Sequence, residues 1–269
     1  MSSSTKKHMV IPDGQVQPNV PLDHWLWAGE YAAEKKPDVI INIGDFADMK
    51  SLSMYDVGKK SYEGRTYKED IDVAKFAMNL FMKPIQKEIN RLKSNKKAQW
   101  NPRLVLTLGN HENRIDRAID ADRKLEGTIS VKDLGYEEWG WEVIPYLQPI
   151  VIDGINYCHF FTSGEMGRAV TSARALSIKK HMSCTMGHNP KTEIDMSQVR
   201  ADGVPIIGLF SGCFYQHNED YLGPQGNPVH RQIWMKHEVN NGMYYIMPVS
   251  MGYLAKRYGG IENWSPRNS

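Results

Sequence analysis

The stretch DVIINIGDFAD, residues Asp38 to Asp48, decides the fold. Four of its first six residues, Asp38–Ile43, are apolar and β-branched, as in a short strand that is buried on both faces. The run leads directly into Gly44-Asp45, where glycine permits a sharp turn and a carboxylate follows at once. Arg103–Leu108 repeats the pattern and leads into Gly109-Asn110. The two stretches predict neighbouring parallel strands with functional groups at their carboxyl ends.

The rest of the first half alternates strands and helices. His8–Pro12 predicts a first strand, and Leu22–Lys35 predicts a helix. Glu69–Leu92 also has helical periodicity, with Pro84 marking a break or kink. We find no internal repeat and no low-complexity linker, so we expect a single domain over residues 1–269.

The second half favours short strands around one helix, Met166–His181. Asp153-Gly154 and Asn241-Gly242 are typical of hairpin turns. Together they predict a second, mostly antiparallel sheet packed on the first. The strand-like runs are Val143–Ile152, Ile155–Phe161, Ser183–Met186, Ile206–Ser211, Arg231–Val239 and Met243–Val249.

Composition excludes several classes of protein. A formal net charge of +2 excludes a strongly basic, histone-like binder but permits a local basic groove. No apolar run approaches the roughly 18 residues of a membrane span, and the start of the chain lacks the apolar core of a signal peptide. The cysteines Cys158, Cys184 and Cys213 form no CxxC pair and lie in apolar runs, which predicts buried, reduced thiols in a cytoplasmic protein with no membrane partner.

Polar side chains end five of the apolar runs. Carboxylates, imidazoles and an amide together suit divalent metals of intermediate hardness, and one carboxylate can bridge two ions about 3.5–4 Å apart. Each loop alone is typical of a turn or a core residue, whereas five in order indicate a metal site. The loops are Asp13-Gly14-Gln15, Gly44–Asp48, Gly109–Glu112, Tyr157–His159 and Gly187–His188.

This ordered set resembles the calcineurin-like metallophosphoesterase superfamily, whose pattern is D-x-H, G-D-x-x-D, G-N-H-[DE], H and G-H-x-[HP]. The match extends from Asp13 to Pro190, and Ser211–Tyr221 resembles phosphoesterases encoded by phages. The resemblance implies an α/β fold, an αββα sandwich of two mixed β-sheets flanked by helices. It also implies a phosphoester hydrolase, in the host cytoplasm if the chain is phage-encoded.

By that resemblance, Asp45 bridges two divalent ions and Asp13 serves the first. The second ion is served by Asn110, His159 and His188. Mn²⁺ is the expected metal, with Mg²⁺, Zn²⁺, Fe and Ni²⁺ as alternatives.

The resemblance also implies an acid dyad. His111 matches the family's general acid or phosphate contact, and Asp48 matches the carboxylate that orients it. This pairing is chemically reasonable, because a departing alkoxide needs a proton and an imidazolium held by a carboxylate supplies one near neutral pH.

Two positions depart from the family pattern. Gln15 replaces the usual histidine, and its amide oxygen is a harder and weaker donor, so the first site should favour Mn²⁺ or Mg²⁺ or bind loosely. Pro190 replaces the second histidine of G-H-x-H, as is common in the protein-phosphatase branch. That branch also has arginines where this chain has Met49 and Leu108. Without these two clamps on a terminal phosphate, a phosphodiester is favoured over a phosphomonoester.

Basic residues near the loops are candidates for substrate binding. Two roles are open for Arg114, which follows the loop Gly109–Glu112: contact with a phosphate, or a position on a solvated helix face. A basic strip interleaved with tyrosines follows the second loop, and this combination suits a single strand of nucleic acid. His217 is a candidate substrate-loop residue. The basic strip comprises Lys50, Lys59, Lys60, Arg65 and Lys68.

Three functions remain open. The first is a phosphodiesterase or nuclease that acts on nucleic acid or nucleotides through a water activated by two metals. The second is a phosphomonoesterase acting on a protein or a small molecule. The third is a binding module with weak turnover because of Gln15, and the intact pair of Asp48 and His111 argues against it.

Overall fold

The computed structural model describes residues 5–54, 58, 63–164, 166–219 and 223–265. Its strands are β1 (Lys6–Ile11), β2 (Val39–Asn42), β3 (Arg103–Thr107), β4 (Glu142–Ile144), β5 (Ile150–Ile152), β6 (Ile155–Tyr157), β7 (Cys184–Met186), β8 (Thr192–Val199), β9 (Pro205–Ser211), β10 (Gln232–Asn240) and β11 (Met243–Ser250). Its α-helices are α1 (Asp23–Lys35), α2 (Tyr67–Ser94), α3 (Arg114–Ala121), α4 (Ala173–Lys180), α5 (Gly223–Gly226) and α6 (Met251–Gly259).

The first sheet has the order β11-β10-β1-β2-β3-β4. Strands β1 to β4 are parallel, and β10 and β11 add an antiparallel edge. Val10 lies opposite Ile41, which lies opposite Val105. The carboxyl ends of β1, β2 and β3 are therefore level, and their loops meet at one edge of the sheet.

The second sheet has the order β5-β6-β7-β9-β8. Its three central strands are parallel, and β5 and β8 are antiparallel at the edges. The prediction of a mostly antiparallel second sheet is wrong, because the hairpin of β10 and β11 pairs with β1 in the first sheet instead. The run Val143–Ile152 is two strands, since β4 ends before Pro145, which has no N–H to continue a ladder. Strand β8, which is largely polar and lies at an edge, was not predicted.

The two sheets stack face to face between layers of helices. One cluster of buried side chains packs the outer face of the first sheet against α1, α2 and α6. A second fills the space between the sheets, where Ile41 and Val105 face Ile155 and Leu209. A third packs the second sheet against α4. The predicted α/β class, with two mixed sheets flanked by helices, is confirmed.

Two helices differ from their predicted extents. Helix α2 is 28 residues long and continues through Pro84, so of the predicted break or kink the break is absent. Helix α4 begins only at Ala173, where the Ser172 hydroxyl accepts from Ala175 N–H and caps it. The three cysteines are buried and free, as predicted. None of the helices in the described part of the chain is long and apolar enough to cross a membrane.

Candidate metal centre

The loops after β1, β2 and β3 are joined to one another through their backbones. The N–H groups of Gly14 and Gln15 donate to the carbonyl of Asp45 at 2.9 and 2.8 Å. The N–H of His111 donates to Oδ1 of Asp45 at 2.8 Å, and the N–H of His188 donates to Oδ1 of Asp13 at 3.1 Å. The carboxylates of Asp45 and Asp13 are therefore positioned by backbone N–H groups of residues that are far away in the sequence.

Four predicted ligands of the second site converge. Oδ1 of Asn110 lies 3.0 Å from Nε2 of His159 and 2.7 Å from Nδ1 of His188. Oδ2 of Asp45 lies 3.2 Å from Nε2 of His159. Ligands at right angles around an ion, with bonds of 2.0–2.2 Å, are about 3 Å apart. These donor atoms therefore have the spacing that a bound divalent cation requires.

The orientation of His159 agrees with a role as ligand. Its Nδ1 lies 2.9 Å from the carbonyl of Ile43, which can only accept a hydrogen bond. This contact places the proton of the neutral imidazole on Nδ1 and leaves the lone pair on Nε2, which faces Asn110 and Asp45. Desolvation by the surrounding protein, and then the charge of His159, lower the pKa of His188 to about 4 although this residue is exposed, and this direction favours the neutral imidazole that a metal ligand must be.

The first site has a less complete set of donors. Asp13 and Gln15 are both buried beside Asp45. In the described part of the chain, Oε1 of Gln15 is buried and has no hydrogen-bond partner. An orphaned buried carbonyl oxygen costs about 1–3 kcal/mol, and a cation would satisfy it. The two carboxylates and this amide oxygen fit a hard divalent ion, with fewer donors than the second site.

The ionisation of the two sites indicates a deficit of positive charge. Burial, together with the charge of Asp45, raises the pKa of Asp13 to about 7. Burial opposes the imidazolium of His159, but the carboxylates of Asp45 and Asp13 raise its pKa to about 9. Protons are held here because buried anions lie close together. A divalent cation would replace those protons.

Next to these sites lies the predicted acid dyad. Nδ1 of His111 is 2.6 Å from Oδ1 of Asp48, and its Nε2 is 3.6 Å from Oδ2 of Asp45. Burial opposes the imidazolium, but the two carboxylates raise the pKa of His111. The geometry is that of an imidazolium held by one carboxylate and aimed at the other.

Arg114 completes the dyad. Its guanidinium donates to Oδ1 of Asp48 at 2.9 Å and to the Asp48 carbonyl at 2.7 Å, and only 16% of its side chain is exposed. The alternative of a solvated helix face is therefore wrong. Arg114 lies at the first position of α3, directly after the loop of His111, and this adjacency was the only signal in the sequence.

Sequence reasoning missed the role of Glu112. Its fully buried carboxylate accepts from three backbone N–H groups: Asp45 at 3.0 Å, Ala47 at 3.0 Å and Gly109 at 2.9 Å. Glu112 thus joins the loop after β2 to the loop after β3. The acidic fourth position of G-N-H-[DE] marked this residue, but its function depends on a neighbouring strand.

Backbone conformation at the site is unusual. A Cβ on Gly109 would lie 2.0 Å from Oδ1 of Asp45, and one on Gly187 would lie 2.2 Å from Oδ1 of Asp13. Gln15, Asp45 and His188 have φ of 40°, 51° and 66°, a backbone region that residues other than glycine rarely adopt. Strained residues of this kind gather at functional sites.

The two positions that lack the arginine clamps point into the core. Met49 is fully buried and Leu108 is 8% exposed. The guanidinium that reaches the dyad belongs to Arg114 instead.

Only part of the basic strip falls in the described residues, since Lys59 and Lys60 lie outside them. Arg65 donates to the carbonyl of Lys50 at 3.2 Å. Nζ of Lys50 lies 3.6 Å from Asp48 and 3.5 Å from Glu219.

The predicted substrate-loop residue His217 is buried. It contacts Oε1 of Glu219, and its Nε2 lies 2.6 Å from Nε2 of Gln17. Arg231 donates to its carbonyl at 2.9 Å. Of the segment Ser211–Tyr221, Asp220 and Tyr221 lie outside the described residues.

Comparison with known proteins adds little to this picture. No family model and no curated protein matches the chain. Among solved structures, it is similar to Vps29 from Entamoeba histolytica complexed with Zn²⁺, with 11% identity, a TM-score of 0.37, and coverage of 91% of this chain and 99% of that one. It is also similar to a conserved uncharacterised protein, a predicted phosphoesterase, from Streptococcus pneumoniae TIGR4, with 11% identity, a TM-score of 0.34, and coverage of 92% and 99%. Neither likeness says what this chain does.

Proposed function

We propose that this protein is a metal-dependent phosphodiesterase that acts on nucleic acid or nucleotides. One observation carries the proposal: the four donor atoms of Asp45, Asn110, His159 and His188 meet beside the dyad of His111 and Asp48. Hydrolysis of a phosphoester requires activation of a water molecule and protonation of the leaving group, and a metal site next to a positioned acid provides both.

Two divalent ions, with Mn²⁺ expected, would polarise the phosphate and lower the pKa of a bound water. Asp45 would be shared by both ions, with Asp13 and Gln15 completing the first site. The remaining steps belong to the protein. Nε2 of His111 gives a proton to the leaving oxygen, while Asp48 holds Nδ1–H and stabilises the imidazolium. Arg114 fixes Asp48 and adds a positive charge beside the phosphate.

Three features support a diester. A phosphomonoester dianion is best held by paired, bidentate arginines, whereas Met49 and Leu108 are buried apolar residues. Arg114 supplies one guanidinium, which suits the single negative charge of a diester. The basic strip follows the loop of Asp48 in sequence and gives a strand of nucleic acid further cations to contact.

The test compares two aryl substrates with Mn²⁺ added. Bis-p-nitrophenyl phosphate should be hydrolysed faster than p-nitrophenyl phosphate, and chelation should abolish both activities. Asp45→Asn should remove most activity with the fold intact, because it weakens the shared ligand, whereas Asp120→Asn on an exposed face of α3 should have no effect. Preference for the monoester would favour a phosphatase, and absence of turnover a binding module. Near-normal activity of Asp45→Asn would reject the two-metal centre.

The nucleic-acid part of the proposal has its own test. Replacing Lys59, Lys60 and Arg65 together by alanine should raise the KM for a single-stranded oligonucleotide. It should also make binding less dependent on salt, with the slope of log affinity against log salt falling by roughly 0.7 for each phosphate that is no longer neutralised. Hydrolysis of the aryl diester should be unchanged, because that substrate reaches only the metals. The matched control replaces three exposed lysines near the end of α2, Lys93, Lys96 and Lys97. Equal losses on both substrates would mean that the strip supports the fold, and the proposal of a nucleic-acid substrate would then be rejected.

A further inference from the structure

The ammonium group of Lys50 lies between two buried carboxylates. Its Nζ is 3.6 Å from Oδ2 of Asp48 and 3.5 Å from Oε2 of Glu219, and only 20% of its side chain is exposed. The two carboxylate side chains are almost fully buried. Lys50 is the first residue of the basic strip, but an ammonium group that faces two carboxylates has little freedom to reach a strand of nucleic acid. Its contacts indicate a role within the protein.

The backbone around Lys50 is fixed as well. The guanidinium of Arg65 donates to the carbonyl of Lys50 at 3.2 Å, and the N–H of Ser51 donates to Oδ2 of buried Asp70 at 2.8 Å. Lys50 begins the 3₁₀ helix Lys50–Leu52, two residues after Asp48. The direction of the lysine side chain is therefore set by its own backbone as well as by the two carboxylates.

The carboxylate of Asp48 has one oxygen that depends on Lys50. Its Oδ1 contacts Nδ1 of His111 at 2.6 Å and accepts from Arg114 at 2.9 Å. Its Oδ2 is buried and has no hydrogen-bond partner in the described part of the chain, so the nearby charge of Lys50 compensates it. Burial opposes ionisation of Asp48, but His111 lowers the pKa of this carboxyl, and the charges of Lys50 and then Arg114 lower it further. Without Lys50, half of a buried carboxylate would be uncompensated and free to rotate away from the imidazole.

Glu219 is held in place by residues from both halves of the chain. Its Oε1 accepts from Nε2 of Gln17 at 3.2 Å and contacts Nε2 of His217. Its backbone N–H donates to Oδ1 of Asn227 at 2.8 Å, and Nδ2 of Asn227 donates to its carbonyl at 2.9 Å. These contacts fix the side chain of Glu219 with its Oε2 towards Lys50.

We propose that Lys50 and Glu219 act as a positioning pair for the general acid. Glu219 holds the ammonium group of Lys50, which in turn holds the carboxylate of Asp48. Asp48 then aims Nε2 of His111 at the leaving oxygen. The inference rests on the phosphodiesterase function proposed above, and it gives the segment Ser211–Tyr221 a role in that reaction through Glu219.

The test varies the leaving group, since a positioned acid matters most when the departing oxygen needs a proton. The p-nitrophenyl and phenyl esters of thymidine 5′-phosphate differ only in this group, and phenolate is the more basic of the two. Lys50→Met removes the charge and keeps an apolar side chain of similar length. Its kcat for release of phenol should fall about tenfold more than its kcat for release of p-nitrophenol, because a general acid contributes about 10²–10⁴-fold and Lys50 acts on it indirectly.

Two further variants complete the comparison. Glu219→Gln should change the ratio of the two kcat values in the same direction as Lys50→Met, by a smaller factor, because the ammonium group remains but is held less firmly. Lys179→Met changes an exposed lysine of α4 and should leave the ratio unchanged.

Calorimetric titration with Mn²⁺ is independent of turnover. Lys50→Met should bind the ion as the wild type does, because the contacts that the structure describes for Lys50 include none of the proposed ligands. Weaker binding would show that Lys50 supports the metal centre, and it would overturn the positioning pair.

Three kinetic results would also overturn the pair. Equal losses of kcat on the two esters would mean that Lys50 supports the fold. A raised KM on both esters with unchanged kcat would mean that its ammonium group contacts the phosphate of the substrate. Unchanged kinetics on both esters would show that Asp48 keeps its orientation without Lys50. If the wild-type protein hydrolyses neither ester, it is the proposed function that fails, and the positioning pair fails with it.

Discussion

Glu112→Gln offers a direct test of how the metal centre is assembled. The carboxylate of Glu112 accepts the N–H groups of Asp45 and Gly109 on Oε2. It accepts the N–H of Ala47 and, at 3.4 Å, the hydroxyl of Tyr136 on Oε1. Glutamine has nearly the same shape, but one of its two terminal atoms is a donor and cannot accept. The substitution therefore isolates hydrogen bonding from packing.

The magnitude follows from this geometry. Glutamine will turn its oxygen towards Asp45 and Gly109, which leaves its NH₂ facing the N–H of Ala47. One charge-assisted bond, worth about 1.5–3 kcal/mol, disappears, and the other two weaken towards neutral strength, about 0.5–1.5 kcal/mol each. We expect the free energy of unfolding to fall by about 3 kcal/mol. Because the N–H of Asp45 belongs to the residue that we propose as the bridging ligand, metal affinity should fall about 10- to 100-fold.

Two measurements check this prediction. Urea denaturation of the metal-free protein gives the free energy of unfolding, and calorimetric titration with Mn²⁺ gives the affinity. The control is Glu137→Gln, which changes an exposed glutamate in a 3₁₀ helix between α3 and β4 and should alter neither quantity. A loss of stability with unchanged metal affinity would show that the loops keep their register without Glu112. No change in either quantity would refute the role of its carboxylate.

Two further predictions concern Gln15 and His24. Gln15→His should tighten the first site and shift its preference towards zinc or iron, because imidazole is a softer and stronger donor than an amide oxygen; unchanged stoichiometry and affinity by calorimetry would show that position 15 does not face the metal. Burial, and then the nearby charges of His217 and Arg231, lower the pKa of His24 to about 3, whereas the unfolded chain takes up this proton below about 6.5. The stability contributed by neutral His24 is therefore present above pH 6.5 and is lost as the pH falls towards 3. When the pH is lowered from 7 to 5, the free energy of unfolding measured in urea should fall by roughly 2 kcal/mol less in His24→Gln than in the wild type. Parallel losses in the two proteins would contradict this assignment.

The α/β class and the loops that we propose to bind metal could be predicted from the sequence alone, because both depend on local patterns. Apolar runs such as Asp38–Ile43 bury on both faces wherever they are placed, and a glycine followed by a polar residue ends them. The level carboxyl ends of parallel strands then bring Asp13, Asp45 and Asn110 to one edge of a sheet without further information. The likeness to a family pattern supplied the expected roles of His159 and His188.

Sheet membership depended on the tertiary structure. The strands β10 and β11 have a clear hairpin signal, but that signal says nothing about the partner of the hairpin's free edge. The partner is β1, more than 220 residues earlier in the chain. Backbone hydrogen bonds between strands carry no sequence code of their own, so packing of the two sheets decides which edge is paired.

The connections around the proposed catalytic groups were also decided by the tertiary structure. Glu112 contacts Asp45, 67 positions earlier in the chain, and Arg114 contacts Asp48, 66 positions earlier. Local sequence determines which polar groups lie at the strand ends, because strand and turn preferences extend over only a few residues. Which of those polar groups contact one another is determined by how loops from distant parts of the chain pack together. These contacts form only once the two sheets have packed.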